Sequence, residues 1–264
     1  MSKPAIVSVG AGNLATQLIR EFHSNGYPIL SVYSRTIAAA KELAGKVNSI
    51  YTNKLADLSP NAGIYIISLP DDAIPLAIDA LANSKSIVVH TAGSIGIEIF
   101  KGKFSRYGVI YPLQTFSKSR TLSFADIPFL LEASDNHSMS VIKGMVSEIS
   151  GNITEMSSEK RKWLHTAAVF ACNFTNHMFT CAFDILNDKD LDFALLHPII
   201  KETFEKAFQG NPMQVQTGPA SRGDVKVMNE HQRMLNDNPE LQKMYNFVSK
   251  AILTYHNKEK DKKI

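Results

Sequence analysis

The sequence has few cysteines, almost no excess of positive over negative charge, and no long apolar run. Two cysteines, Cys172 and Cys181, stand among 264 residues without a CxxC pair or a His/Cys cluster. Neither a disulfide framework nor a metal site is therefore expected. Both cysteines lie in one apolar segment, which predicts buried, reduced side chains. The formal net charge is only +3, which gives little reason to expect nucleic acid as a partner.

Membrane and export signals are missing as well. No apolar run reaches the roughly 18 residues that a membrane-spanning helix needs. The first residues, MSKPAIVSVGAG, lack the apolar core and the cleavage site of a signal peptide. Hydrophobic residues make up 44% and charged residues 20%, as in ordinary globular proteins. We therefore expect a cytoplasmic protein that does not bind membranes.

Short β-rich runs alternate with amphipathic stretches in the first half of the chain. The runs predict strands, several of them apolar on both faces, at Ala5–Val9, Ile29–Tyr33, Ile64–Leu69, Ile87–His90 and Val109–Tyr111. The stretches between them predict helices at Leu14–Phe22, Thr36–Leu43 and Ala73–Leu81. This alternation predicts a doubly wound parallel α/β sheet with right-handed crossovers.

The pattern changes after about residue 155. Glu159–Leu186 contains neither proline nor glycine and is apolar almost all round, which predicts one long helix buried in the protein or against a second copy. Further helices are expected at Phe193–Phe208, Asp224–Leu235 and Pro239–His256. We therefore predict two domains, an α/β domain at 1–155 and an all-α domain at 156–264 that serves substrate binding and dimerisation.

The segment AIVSVGAGNLATQLI carries the clearest motif. Gly10, Gly12 and Ala15 occupy the three positions of G-x-G-x-x-G/A directly after the first strand. Gly10 permits the tight turn, Gly12 lets the backbone approach a pyrophosphate, and Ala15 allows close helix–strand packing. The helix that opens at Asn13 offers free N–H groups to an anion. We expect a Rossmann-type dinucleotide site formed by Gly10, Ala11, Gly12, Asn13 and Leu14, with a purely structural turn as the alternative.

The end of the second predicted strand favours NADP(H) over NAD(H). NAD sites usually place an acidic residue there to bind the ribose 2′-hydroxyl. This chain has Ser34, Arg35 and Thr36 instead. A guanidinium and two hydroxyls suit a 2′-phosphate, which a carboxylate would repel. The alternative is that Thr36 only caps the next helix and Arg35 is solvated.

Two later loops are expected at the same cofactor. SLPDD follows one strand and TAGS follows the next, and ligands of open α/β sheets lie at the carboxyl ends of the strands. We expect Leu69, Pro70, Ala92 and Gly93 to pass the nicotinamide side of the cofactor. Asp71 and Asp72 are expected to be helix N-caps and not catalytic carboxylates.

These motifs carry a family resemblance over nearly the whole chain. GAGNLA, SRT, SLPDDAI, HTAGS and YPLQTF resemble the first domain of a Rossmann-like family provisionally assigned as NADP-dependent oxidoreductases. That family is related to pyrroline-5-carboxylate reductases, ketopantoate reductases and F420-dependent NADP reductases. HTAAV, CNF and the more particular TGPASRGD resemble its helical DUF2520-type second domain, which is similar to the C-terminal domain of 6-phosphogluconate dehydrogenase. The resemblance implies the fold, the NADP(H) cofactor and a homodimer through the C-terminal helices.

Hydride transfer requires the protein to position the substrate and to handle one proton. His165 and Asn173 stand eight residues apart on the predicted long helix, near one stripe and about 12 Å apart along its axis. Imidazole titrates near neutral pH, so His165 could act as general acid or as a hydrogen-bond donor. We take His165 and Asn173 as the candidate catalytic residues, with a structural histidine as the alternative. Related β-hydroxyacid dehydrogenases use a lysine and an asparagine on this helix, and the resemblance extends to Lys162 only loosely.

Other polar residues are candidates for the substrate pocket. We expect Ser94, Tyr111, Gln114 and Arg222 to contact substrate, with Thr115 beside them. Arg222 lies in a Gly/Pro-rich loop, where it could clamp a carboxylate or pair with Asp224 to fix a turn. Other side chains are expected to have structural roles: His90 and His197 in the fold, Asn176 and His177 at an interface, and Trp163 in the core or an interface.

Two functions fit this pattern. The first is an NADP(H)-dependent oxidoreductase that transfers hydride to or from a small, anionic carbonyl or imine compound. The second is a non-catalytic NADP(H)-binding sensor or regulator on the same scaffold, because function resides in sites and not in the fold.

Overall fold

The computed structural model describes residues 3–82, 84–118, 120 and 122–261. It divides into two compact units, Met1–Asn173 and Phe174–Ile264. The mixed α/β pattern ends with a strand at Ile153–Glu155, and the two units separate further along the chain. The helix that follows this strand therefore belongs to the first unit.

The first unit contains an eight-stranded sheet with the order β3-β2-β1-β4-β5-β6-β7-β8. Only the β6–β7 pair is antiparallel among these neighbours. The predicted doubly wound α/β fold is thus confirmed, with β3, β7 and β8 as strands that the sequence patterns did not indicate. The strands are β1 (Ile6–Val9), β2 (Ile29–Tyr33), β3 (Ile50–Thr52), β4 (Ile64–Ile67), β5 (Ile87–His90), β6 (Tyr107–Pro112), β7 (Phe129–Ala133) and β8 (Ile153–Glu155).

Helices cover both faces of this sheet. Neighbouring strand residues point to opposite faces, so Ile6 joins one apolar core and Val7 the other. The first core includes Leu18 and Leu43, and the second includes Ile74. The helices of this unit are α1 (Asn13–Ser24), α2 (Ile37–Lys46), α3 (Ile74–Leu81), α4 (Asn136–Ser147) and α5 (Ser158–Ala168).

The predicted long helix is helical but not uniform. A π-helical segment, Val169–Phe174, follows α5 and leads into α6 (Thr175–Asn187). The run is not buried inside the single chain, in which Trp163 is 72% exposed and Phe170 is 65% exposed, so burial against a second copy stays a prediction. The prediction of buried cysteines is wrong for the single chain, because Cys172 is exposed and Cys181 is half-buried, although both are free thiols. Apolar residues all round a helix require cover on every side, and the described residues of one chain do not provide it.

The second unit is all-helical. Its helices are α6, α7 (His197–Phe208), α8 (Pro219–Arg222), α9 (Val225–Met234) and α10 (Pro239–Asp261). The segment predicted at Phe193–Phe208 begins with a 3-10 turn, Phe193–Leu196. Gly218 and Gly223 flank α8 with positive φ angles of 107° and 69°, which favour glycine. Within the described ranges, no helix has both the length and the apolar character required to cross a bilayer.

Candidate active site

The sheet order brings the predicted dinucleotide residues to one edge of the first unit. Strands β2, β1, β4 and β5 are neighbours and parallel, so their carboxyl ends meet. The chain changes direction across the sheet between β1 and β4, which is where open α/β sheets bind ligands. The loops at this edge contain Gly10–Leu14, Ser34–Thr36, Leu69–Pro70 and Ala92–Gly93.

The two glycines of the first turn have different structural reasons. Gly10 has φ +136°, and a Cβ there would lie 2.2 Å from the Ser68 carbonyl oxygen. Gly12 precedes α1 with φ −76°, and a Cβ there would meet nothing within 4 Å. Gly10 is thus required by the fold, whereas Gly12 leaves the space above α1 open. Ala15 is buried at the start of this helix, as its motif position predicts.

The first turn of α1 is suited to an anion. Gly12 is its N-cap, and no side chain within the described ranges caps it. A helix start without a side-chain cap leaves N–H donors that need an acceptor from outside the helix. The partial positive charge of the helix dipole points the same way. The residues present therefore fit the pyrophosphate of a dinucleotide.

The loop after β2 presents an exposed cation. Arg35 is exposed, and its side chain forms no ion pair or hydrogen bond with any residue that the structure describes. Ser34 Oγ accepts a hydrogen bond from Thr36 N at 3.3 Å. Thr36 is the N-cap of α2 by position, but its side chain makes no capping bond. The local arrangement leaves Arg35 and the Thr36 hydroxyl available to a ligand.

The aspartates after β4 do not cap a helix, contrary to the prediction. Asp71 and Asp72 lie inside a 3-10 turn, Asp71–Ala73, whose N-cap position is Pro70. The Asp71 carboxylate instead accepts a hydrogen bond from the Ser94 hydroxyl. This bond joins the loops after β4 and β5 and fixes Ser94, one of the predicted substrate residues, in an exposed position.

Tyr111 and His165 form a hydrogen-bonded pair beside Gly93. Tyr111 Oη lies 2.9 Å from His165 Nδ1, and the two rings meet edge to face. Gly93 packs so closely on both that a Cβ would lie 2.7 Å from His165 Cγ and 2.8 Å from Tyr111 Cζ. Burial raises the pKa of the Tyr111 hydroxyl, the positive charge of Arg161 opposes this, and Cys172 adds to it. The structure thus joins a predicted catalytic residue, a predicted substrate residue and a predicted cofactor loop.

Within the described residues, Asn173, Lys162 and Gln114 make no hydrogen bond to this pair. Asn173 is exposed and ends the first unit inside the π-helical segment. The wider π turn changes the angular spacing on which its shared stripe with His165 was based. Lys162 is exposed and pairs with Glu98 at 3.3 Å. Gln114 is exposed, and its Oε1 accepts a hydrogen bond from Thr115 N at 2.8 Å.

His90 is buried, as a structural residue would be. It stacks on Phe100 with ring centroids 5.4 Å apart, and its Nδ1 accepts a hydrogen bond from Ala92 N at 3.2 Å. Burial, assisted by the positive charge of Arg161, lowers the pKa of His90 to about 3. The neutral ring therefore supports the loop after β5 through its hydrogen bond with Ala92 N.

Sequence patterns did not indicate a buried ionic network behind the site. Arg161 on α5 is fully buried and donates to Glu132 Oε2 at 2.6 Å and to the Ile95 carbonyl oxygen at 2.8 Å. Ser158 Oγ also donates to Glu132 Oε2, at 2.6 Å. Arg161 lies in the charged run EKRK, which is typical of a solvated helix face, so its pattern carried no signal of burial.

The predicted carboxylate clamp lies in the second unit. Arg222 is exposed at the end of α8. Asp224 does not pair with it but accepts a hydrogen bond from Val227 N at 3.2 Å and caps α9. The alternative of an Arg222–Asp224 pair is therefore wrong.

The first unit also has a cavity of about 760 Å³ at the amino ends of its strands. Gly63, Ser86 and Arg106 are among its lining residues. This is the edge opposite the glycine-rich turn, and open α/β sheets bind ligands at the carboxyl edge. We therefore place the candidate active site around Gly12, Gly93 and the Tyr111–His165 pair.

Known proteins resemble this chain along its whole length. A Bacteroides fragilis protein provisionally described as an NADP oxidoreductase is 43% identical, with a TM-score of 0.91, and the match covers 96% of this chain and 98% of that one. A Thermotoga maritima protein is 25% identical with a TM-score of 0.67, covering 97% and 100% of the two chains. An imine reductase from Myxococcus stipitatus, in complex with NADP+, shares the fold at 14% identity and a TM-score of 0.67, covering 97% and 93%.

A family model adds to these structural matches. Residues 127–252 match the family described as "Domain of unknown function (DUF2520)". No curated protein matches the sequence.

Proposed function

This chain belongs to the same family as the Bacteroides fragilis protein, and its residues 127–252 match the DUF2520 model; from that premise we propose that it is an NADP(H)-dependent oxidoreductase. The observation that carries the proposal is the Tyr111–His165 pair, which packs on Gly93 at the carboxyl edge of the sheet. A sensor would need only dinucleotide contacts. A hydrogen-bonded phenol and imidazole at this edge provide a route for the proton that a reduction consumes.

The residues around the first two strands support NADP(H) as the cofactor. The uncapped start of α1 would bind the pyrophosphate, and Gly12 leaves room for its approach. Arg35, with Ser34 and Thr36, would bind the 2′-phosphate through charge-assisted hydrogen bonds. Leu69, Pro70, Ala92 and Gly93 would line the nicotinamide side. When bound, NADPH would supply a hydride, that is, two electrons and one proton, to the carbon of a C=O or C=N group.

The protein itself must handle the proton that the substrate gains or loses in addition to the hydride. The substrate oxygen or nitrogen must take one proton as its carbon accepts the hydride, and it must lose that proton in the reverse direction. We assign this exchange to His165. Burial raises the pKa of Tyr111, so its hydroxyl stays protonated near neutral pH and can donate to His165 Nδ1. The imidazole then carries its own proton on Nε2. We propose that this proton passes to the substrate while Nδ1 takes the hydroxyl proton of Tyr111, which the phenolate regains from water.

A small, anionic carbonyl or imine compound is the proposed substrate class. Ser94 and Gln114 are exposed near the ends of β5 and β6 and offer polar groups to it. Arg222 remains the candidate for the substrate's negative charge, because its guanidinium is exposed and unpaired within the described ranges. Asn173 remains the candidate for a second polar contact with the reacting group.

We propose a homodimer through the C-terminal helices. The single chain exposes large apolar side chains of this unit, among them Phe208 at 83% and Phe247 at 77%. Extended exposed apolar surface in a globular protein marks an interaction site. Scattering that gave the mass of a single chain would contradict the dimer.

Turnover with a substrate panel tests the proposed function. Purified protein is mixed with NADPH and with keto acids, aldehydes or imines, and the loss of reduced cofactor is followed by absorbance. We expect oxidation with at least one class, and we expect His165→Ala to lower kcat by about 100-fold or more, as loss of a general acid does. Binding of NADPH without turnover on any compound would favour the sensor.

A further inference from the structure

Helix α5 lies along the loop after β5 and contacts it at three successive points. Ser158 Oγ accepts a hydrogen bond from Ile97 N at 2.8 Å. Arg161 Nη2 donates to the Ile95 carbonyl oxygen at 2.8 Å. One turn further on, His165 packs on Gly93.

These contacts have a regular register. Positions 158, 161 and 165 are spaced by three and four residues, so they share one face of α5. Their partners 97, 95 and 93 run in the opposite direction along the loop. The loop therefore runs antiparallel to one face of α5, and Arg161 makes the central contact.

Arg161 and Ser158 both connect this register to the sheet. Arg161 Nη1 donates to Glu132 Oε2 on β7, and Ser158 Oγ donates to the same oxygen. Arg161 Nη2 also reaches Ser158 Oγ at 3.1 Å. The planar guanidinium makes these bonds in fixed directions, which a lysine ammonium cannot reproduce.

Stability alone is a weak reason for such a group. Arg161 is fully buried and its partner Glu132 is 19% exposed. Replacing a buried ion pair by apolar residues of similar volume is often neutral or stabilising. What the guanidinium provides here and an apolar pair would not is directional bonding to the loop.

We propose that Arg161 is a positioning residue that holds the Ala92–Gly93–Ser94 loop and His165 in one register, so that the nicotinamide-side loop and the proton-transferring pair keep a fixed spacing. This inference rests on the proposed function for its catalytic meaning. The positioning itself is a property of the chain without ligand. Arg161 touches neither substrate nor cofactor in this account and acts through His165 and Gly93.

The charge of Arg161 has a supporting role at the same place. Its positive charge counters the rise that burial causes in the pKa of Tyr111. Cys172 also acts on Tyr111, while Glu132, His90 and Glu98 interact with Arg161. Loss of the guanidinium should therefore disturb both the geometry and the electrostatics of the Tyr111–His165 bond.

Three variants test this role. Arg161→Lys keeps the charge but loses the fork, and the double variant Arg161→Met with Glu132→Leu removes both buried charges and keeps an apolar fill. Lys160→Met is the control, because Lys160 is an exposed cation next to Arg161 on the same helix. Melting temperature shows that each variant folds.

The first readout needs no turnover. Nitrogen-15 spectra of the histidine rings report which imidazole nitrogen of His165 accepts a hydrogen bond. We expect the wild type and Lys160→Met to show Nδ1 as the acceptor, and Arg161→Lys and the double variant to lose that signature while melting cooperatively. An unchanged His165 signature in both Arg161 variants would overturn the proposal.

The second readout separates this inference from the proposed function. We expect kcat to fall by about 100-fold in Arg161→Lys, as small misplacements of reacting groups do, with a much smaller rise in the dissociation constant for NADP+, whose phosphates would bind at α1 and Arg35. If the wild type turns over no compound, the proposed function fails while the spectra still decide the positioning role. If the wild type is active and the double variant folds with full kcat, the positioning role is wrong and the proposed function stands.

Discussion

Tyr111 Oη and His165 Nδ1 lie 2.9 Å apart, although 54 positions separate the two residues in the chain. Tyr111 lies near the carboxyl end of β6 and His165 lies on α5, so the bond joins the sheet to a helix. Gly93 lies against both rings, and no larger residue fits there. This three-residue contact connects the predicted cofactor loop with the predicted proton donor.

Tyr111→Phe should separate the hydrogen bond from the packing. The phenylalanine ring keeps the contact with Gly93 and loses only the bond to His165 Nδ1. We expect kcat to fall by about 10-fold or more, since a positioned acid contributes about 100-fold or more in total, with little change in melting temperature. Tyr107→Phe on the same strand is the control, because the Tyr107 ring packs on Phe100. Equal activity of the two variants would show that the bond has no catalytic role.

Arg35→Ala should discriminate between the two nicotinamide cofactors. A hydrogen bond to a charged group contributes about 1.5–3 kcal/mol, so the dissociation constant for NADPH should rise by about 10-fold to 100-fold. The constant for NADH should change little, because NADH has no 2′-phosphate. Calorimetry with both cofactors measures this, and Arg106→Ala at the opposite edge of the sheet controls for the loss of one positive charge. Equal losses for NADPH and NADH would refute the assignment of Arg35.

The two glycines of the first turn should respond differently to alanine. Gly10→Ala should lower the free energy of unfolding by several kcal/mol, because backbone strain and overpacking against Ser68 each cost about 1–3 kcal/mol. Gly12→Ala should fold normally, since its φ of −76° suits alanine and its Cβ meets open space. Gly12→Ala should instead lower the affinity for NADP+. A stable Gly10→Ala protein, or full NADP+ affinity in Gly12→Ala, would contradict these roles.

His90 should make the fold sensitive to acid. Its pKa is about 3 in the folded chain and near 6.5 when unfolded, so the unfolded state binds the extra proton between these values. The contribution to stability is complete above about pH 6.5 and falls by about 1 kcal/mol per pH unit as the pH drops toward 3. Urea unfolding at pH 7.5 and at pH 5 measures it. In His90→Asn, the side-chain oxygen can accept the Ala92 N–H. The difference in the free energy of unfolding between pH 7.5 and pH 5 should therefore be smaller than in the wild type, by about 1 kcal/mol for each pH unit between 6.5 and 5.

Sequence patterns could predict the parts of the site that obey local rules. Gly10, Gly12 and Ala15 each satisfy a requirement set by the residues beside them, and the alternation of strands and helices places their loop at the carboxyl edge. The predicted strands and helices of the first unit are confirmed for the same reason. Strand β3 was not indicated because it is short and largely exposed, so it lacks a buried run.

The remaining features depend on distant partners. Arg161 bonds Glu132 and Ile95, which lie 29 and 66 positions away, and a single sequence contains no record of those distances. The aspartates at 71 and 72 suit an N-cap by type, but Ser94 provides Asp71 with another partner. The π-helical segment continues the helix with a wider turn, and this wider turn changes the face on which Asn173 lies.

A crystal structure of the complex with NADP+ tests the account most directly. We expect the pyrophosphate at the start of α1, the 2′-phosphate on Arg35, and the nicotinamide C4 within about 5 Å of His165 Nε2, close enough for hydride and proton to reach one substrate. Nicotinamide bound at the other edge of the sheet, or turned away from Gly93 and His165, would contradict it.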